Sequence, residues 1–150
     1  MGKNTSITNK AARRDYFIEE TIEAGLKLIG SEVKSLRGGR ASLAESFAKI
    51  ENGELYLYNM HIAPYEYGSL KDQDPLRPKK LLLNKREIAY LITSISQKHL
   101  ALIPLKIYFK NGYAKVEVGL AKGKRQYDKR EAIRLKEAQR EIDKAKRYKL

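Results

Sequence analysis

His61 and His99 are the only imidazoles in the chain, and no cysteine accompanies them. Disulfides, thiolate zinc sites and cysteine nucleophiles are therefore excluded. A histidine-based metal site needs a third ligand at workable spacing, and neither an H-x-x-x-H pair nor a carboxylate cluster supplies one. His61 falls among alternating side chains, where a partly buried structural imidazole is the usual outcome. The chain lacks a G-x-S-x-G motif, a P-loop and a dinucleotide fingerprint. The short "GGR" at 38–40 and "KGK" at 122–124 are too small to count as phosphate cradles. The sequence predicts no catalytic residue, no metal and no cofactor.

The abundant residue types do binding chemistry instead. Lys and Arg number 31 against 18 Asp and Glu, a formal charge of +13. Residues 1–121 hold 19 basic and 13 acidic groups (+6), and residues 122–150 hold 12 and 5 (+7). That bias suits a polyanion: nucleic acid first, an anionic membrane second, with a merely soluble basic protein as the alternative. Ten tyrosines and no tryptophan add flat faces that also hydrogen-bond. Tyr113 stands near Lys115, and Tyr127 lies between Arg125 and Lys129, an interleaving suited to stacked bases with phosphates held by cations. Most strand tyrosines pack on cross-strand neighbours. Tyr127 lies outside the apolar pattern. Glu23 is the odd group: a carboxylate repels phosphate, yet it can accept from the amino group of guanine or cytosine. Its plainer role is an exposed strand glutamate paired with a lysine.

Short elements must position these groups. Residues 1–14, with Asn9, Lys10, Arg13 and Arg14, read as a mobile polar arm. Tyr16, Ile18, Ile22, Ala24, Leu26 and Leu28 then alternate with polar residues, and Glu20 breaks the face, which predicts a long bulged strand. In "GSEVKSLRGGR" Ser31 is a candidate cap for a short helix ended by Gly38 and Gly39. Asn52-Gly53 and Asn111-Gly112 each separate two apolar runs and predict hairpins, the second with strands near 102–109 and 113–120. "KKLLL" reads as a short buried strand. "NKREIAYLITSI" reads as a helix capped by Asn84 and Glu87, with Ile88, Leu91, Ile92 and Ile95 on one face. The fold expected is mainly β: an antiparallel barrel of the oligonucleotide-binding type with short flanking helices. An open α+β sheet is the rival.

The division expected is a barrel domain over 1–121 and a basic tail over 122–150. In the tail, Leu135, Ala138, Ile142 and Ala145 form a thin stripe. At about 25 cal/mol per Å² so narrow a stripe does not offset the ordering entropy of the segment, so the tail alone is disordered or a fraying helix that folds against a polyanion. A helix docked on the barrel is the alternative. With no signal-like segment and no apolar run long enough to span a bilayer, the expected location is the cytoplasm.

Three blocks are distinctive together: "NKAARRDYFIEETIEAGLKLIGSEVKSLRGGRASLAESF", "PLRPKKLLLNKREI" and "GLAKGKRQYDKRE". In this order they resemble the bacterial SsrA-binding protein family, also called small protein B (SmpB), from about Asn9 to the C-terminus. The resemblance implies a non-enzymatic protein, monomeric when free, that binds transfer-messenger RNA (tmRNA) and serves trans-translation. It implies two partners: the tRNA-like domain of tmRNA, and the decoding centre and empty mRNA channel of the small ribosomal subunit. By position, the RNA-facing residues are Asn9, Lys10, Glu23, Lys34, Arg37, Leu82 and Lys115, although Leu82 also reads as core. The ribosome-facing set is Gly123, Lys124, Tyr127, Asp128, Lys129 and Arg130, with Gly123 making the turn and Tyr127 offering a stacking face. "PYEYGSLKDQDP" departs from the family pattern and leaves the contacts of that connection open. A general single-strand RNA-binding barrel and a ribosomal structural protein are the competing functions.

Overall fold

A computed structural model describes residues 6–65, 74–124 and 136–145. The elements are β1 (Ile7–Thr8), α1 (Ala12–Asp15), β2 (Tyr16–Leu26), α2 (Gly30–Arg37), β3 (Ala41–Ser42), β4 (Phe47–Glu51), β5 (Glu54–Tyr58), β6 (His61–Ile62), β7 (Lys79–Leu82), α3 (Lys85–Lys98), β8 (Ala101–Lys110) and β9 (Tyr113–Gly123). The main sheet runs β1-β8-β4-β5-β7-β2-β9, and β9 pairs back onto β8. Six strands thus form a closed antiparallel ring, with β1 appended to β8 and a small β3–β6 pair beside it. Closure removes the open-sheet alternative. The thinnest seam is β4–β8, registered through Ala48 and Leu102.

Alternation along each strand fills the interior. Ala24 and Leu26, Leu55 and Leu57, Leu81, Leu102, Ile107, Val116, Val118 and Leu120 converge on one core. A smaller core of Ala12, Ile103, Leu105 and Ala121 lies beneath Tyr16 and Ile18. The bulge predicted near Glu20 exists: the β2–β9 register slips between Ile18 and Glu20. A second slip between Pro104 and Lys106 lets Leu105 join the smaller core while Ile107 joins the larger. Proline tolerates such a site because the ladder is already interrupted.

Both hairpins follow from left-handed turn residues. Asn52 and Gly53 have φ of 51° and 75°, and Asn111 and Gly112 have 53° and 81°, as a two-residue turn with both central residues at positive φ requires. In α3 the Asn84 side chain accepts from the Glu87 N–H at 2.8 Å, and the Glu87 carboxylate accepts from the Asn84 N–H at 3.2 Å. Ile88 and Leu91 are buried there, but Ile92 is 47% exposed, so the helix seats a narrower face than its four isoleucines and leucines suggest.

Other expectations need correction. The N-terminal segment is not free from residue 6 onward. β1 pairs with β8, the Asn9 N–H donates to the Leu105 carbonyl at 2.8 Å, and Ala12 is buried. Ile29, not Ser31, is the N-cap of α2, because the Glu32 carboxylate reaches back to the Ile29 N–H at 2.9 Å. His61 is exposed rather than partly buried. Residues 136–145 are helical and exposed, Ala138, Ile142 and Ala145 included, so the docked alternative does not describe them. Leu135 lies outside the described residues. Among the described residues no helix is long and apolar enough to cross a membrane.

Candidate nucleic-acid interface

The hairpin register assembles an outward row across four strands. Tyr108 faces Lys115, Lys115 faces Gly25, and Gly25 faces Leu82. The next row on the same face runs Lys106, Glu117, Glu23. Three predicted RNA-facing residues, Glu23, Leu82 and Lys115, are thereby gathered on one outer surface. Leu82 is 49% exposed and does not belong to the core. Its side chain lies over Gly25, where an added Cβ would stand 3.2 Å from the Leu82 Cβ.

Glu23 is neither free nor paired with a lysine alone. Its Oε2 accepts a very short hydrogen bond from the Tyr108 hydroxyl, and its Oε1 stands 3.6 Å from the Lys110 ammonium. The Tyr108 hydroxyl above all, with Lys110 and Lys115 assisting, holds the Glu23 carboxyl below its ordinary pKa, against the opposing effect of burial. Burial and the adjacent Glu23 charge push Tyr108 up to about 12. The site therefore presents an ionised carboxylate oriented by a neutral phenol. The Lys106 ammonium sits 5.7 Å from the Tyr108 ring centre. Tyr108 and Lys110 were absent from the sequence-level set, yet the Asn111-Gly112 turn fixes Lys110 opposite Tyr113 and Tyr108 opposite Lys115.

The other candidates occupy neighbouring positions. Lys34 and Arg37 project from α2, and the Arg37 guanidinium lies 4.7 Å from the Phe109 ring while the Lys34 ammonium lies 5.1 Å from that of Tyr65. Arg77 anchors α2 from the chain before β7, donating to both Glu32 oxygens at 3.1 and 2.5 Å. Asn9 donates from its side-chain amide to the Pro104 carbonyl at 2.9 Å, and Lys10 beside it is exposed. Asn9 thus sits alongside Leu105, about 10 Å along β8 from Tyr108. Asn9 and Arg37 thus meet β8 at Pro104–Leu105 and at Phe109, outside the Glu23 row.

At the far end, Gly123 does not make a turn. It is the last residue of β9, paired with Tyr16, and β9 runs two residues past Ala121. Lys124 donates to the Arg13 carbonyl at 3.0 Å and stands 5.0 Å from the Phe17 ring centre. Tyr127, Asp128, Lys129 and Arg130 lie outside the described residues.

Among the described residues no three His, Cys, Asp or Glu side chains cluster to hold a metal ion. His99 is exposed and ends α3 at φ 54°. The sequence places Lys79 in a buried strand without assigning its charge a partner; the residue is buried, and its ammonium donates to the Met60 carbonyl at 2.9 Å. Desolvation lowers its pKa to about 8, with Glu32 opposing the shift.

A family model described as SmpB protein matches residues 6–148. The chain belongs to the SmpB protein family. It is 61% identical over 137 residues to an SsrA-binding protein of Geobacillus thermodenitrificans, covering 91% of this chain and 88% of the relative. An SsrA-binding protein of Acetivibrio thermocellus is 55% identical over 141 residues, covering 94% and 92%. A solved structure described as "tmRNA-SmpB: a journey to the center of the bacterial ribosome" is 54% identical and superposes with a TM-score of 0.67, covering 86% of this chain and 94% of that one.

Proposed function

We propose that this chain is a tmRNA-binding protein of trans-translation, with no catalytic step of its own. The identity with SsrA-binding proteins across nearly the whole chain carries the reading. The closed ring acts as an oligonucleotide-binding-type barrel. Its outer face takes the tRNA-like domain: Lys115, Lys34, Arg37 and Lys10 meet phosphates, Glu23 accepts from a base amino group, and Leu82 and Asn9 complete the contact. The basic tail that follows the end of β9 at Gly123 enters the empty mRNA channel of the small subunit, where Lys124, Lys129 and Arg130 meet ribosomal phosphates, Asp128 sets the local charge and Tyr127 stacks. The complex forms in the cytoplasm from a free monomer.

Supporting the reading is the grouping of exposed Glu23, exposed Leu82 and half-buried Lys115 on adjoining strands, although nothing in sequence separation unites them. A competition gel tests it. The tRNA-like domain should displace labelled tmRNA far better than does unstructured single-stranded RNA. Equal competition would assign the chain to general single-strand binding instead.

A further inference from the structure

The outer surface of β4 and β5, with Lys80 of β7 beside it, has no part in the contacts proposed above, yet it carries three neighbouring aromatic side chains. Inward positions there are taken by Ala48, Leu55, Leu57, Lys79 and Leu81, so Phe47, Lys49, Tyr56, Tyr58 and Lys80 point outward. Phe47 faces Tyr58 across the β4–β5 ladder, and their rings stack at 5.5 Å with 21° between planes. Tyr56 lies 6.5 Å from Tyr58. In the adjacent row Tyr56 faces Lys49 on one side and Lys80 on the other. Phe47 remains 39% exposed despite its stacked neighbour.

Charge on this surface is balanced. Lys49 pairs with Glu51 at 3.6 Å, Lys80 pairs with Glu54 at 3.4 Å, and the Tyr58 hydroxyl donates to Glu51 at 2.8 Å. A surface so neutralised offers little to a duplex backbone, whose binding depends on unpaired cations. It offers ring faces instead, and an exposed ring face suits a splayed-out base without calling on phosphate contacts. Position argues for the same partner. Lys80 and Leu82 leave β7 on the same side, so the aromatic surface continues directly into the row of Leu82, Gly25 and Lys115.

We infer that Phe47 and Tyr56 form a second contact surface, on which unpaired nucleotides of the bound RNA stack beside the Glu23 face. This deepens, and rests on, the proposed binding of tmRNA. It adds a stacking site whose strength is insensitive to salt.

The full-length chain, titrated with a tmRNA transcript at two salt concentrations, tests it. Phe47→Leu combined with Tyr56→Leu keeps apolar bulk and removes both ring faces. The affinity should fall about tenfold or more at each salt concentration, with the salt slope unchanged, because a ring releases no counterions. Tyr56→Phe should keep the parent affinity. Irradiating 4-thiouridine-substituted tmRNA in the complex should crosslink the peptide over 47–58. Parent affinity in the double leucine variant overturns the inference, and so do crosslinks confined to other peptides. A loss shared equally by Tyr56→Leu and Tyr56→Phe also overturns it, because the ring would then not be the cause. Glu23→Ala and Lys115→Ala, titrated alongside, keep the two readings apart. If they weaken binding while the leucine variant does not, this inference alone fails; if the parent chain does not bind the transcript, the proposed function fails first.

Discussion

Glu23 depends on Tyr108 for both its charge and its direction. Tyr108→Phe removes the hydroxyl and keeps the ring, so the Glu23 carboxyl should titrate at higher pH, nearer an ordinary glutamate. Side-chain NMR titration checks this, and an unmoved Glu23 would show that Lys110 and Lys115 suffice. Glu23→Ala should weaken tmRNA binding by about 1–3 kcal/mol if the carboxylate reads a base edge. Unchanged affinity at two salt concentrations would exclude that role. Lys79 makes a different prediction. Its folded pKa of about 8 lies below the 10.5 of a free lysine. Through the window between those values the unfolded chain holds more protons, so stability gains from rising pH, by up to about 3 kcal/mol. Lys79→Met should lack this rise. Urea melts of both proteins at about pH 7 and about pH 10 measure it, and parallel changes would refute it.

Single elements were the most legible level. Asn-Gly turns need no tertiary support, since two left-handed residues and flanking apolar runs define them. Gly112 sits at φ 81° with nothing within 4 Å of an added Cβ. Gly112→Ala therefore tests backbone strain alone and should cost about 1–2 kcal/mol. The Asn84 cap was equally plain, and Asn84→Ala should cost about 1 kcal/mol in the same urea melts while leaving the far hairpin's amide exchange unchanged. Where element reading failed, a distant partner had intervened. Ser31 has the better capping chemistry, but Glu32 is fixed by Arg77 and captures the Ile29 N–H instead. Ile92 has the right helical spacing, yet the ring presents α3 with room for Ile88 and Leu91 ahead of it.

At the scale of the molecule, closure of the ring turns separate strands into one surface and sets where the tail begins. Lys122 and Gly123 still pair with Phe17 and Tyr16, so a cut after Ala121 would strip the end of β9. A cut after Lys124 leaves the ladder whole. That truncation should leave affinity for the tRNA-like domain nearly intact while tagging of stalled peptides collapses. Parallel loss of both would put the tail within the RNA-binding surface. Tyr127→Phe should remain active in tagging, and Tyr127→Ala should lose a stacking contact worth about 1–3 kcal/mol.

The sequence by itself determined the mainly β class, the bulge at Glu20, both hairpins, the α3 cap and the basic character of the chain. Each rests on neighbours within a few positions, where spacing and backbone preference decide the outcome. It also carried enough family pattern to nominate Glu23, Leu82 and Lys115. Only the tertiary structure decided that these three share an outer face, that Leu82 is surface rather than core, and that Tyr108 holds Glu23. It likewise decided that a lysine rather than an apolar residue occupies the buried place beside Met60. Those outcomes hang on register between strands tens of residues apart. A one-residue slip would send each side chain to the opposite face.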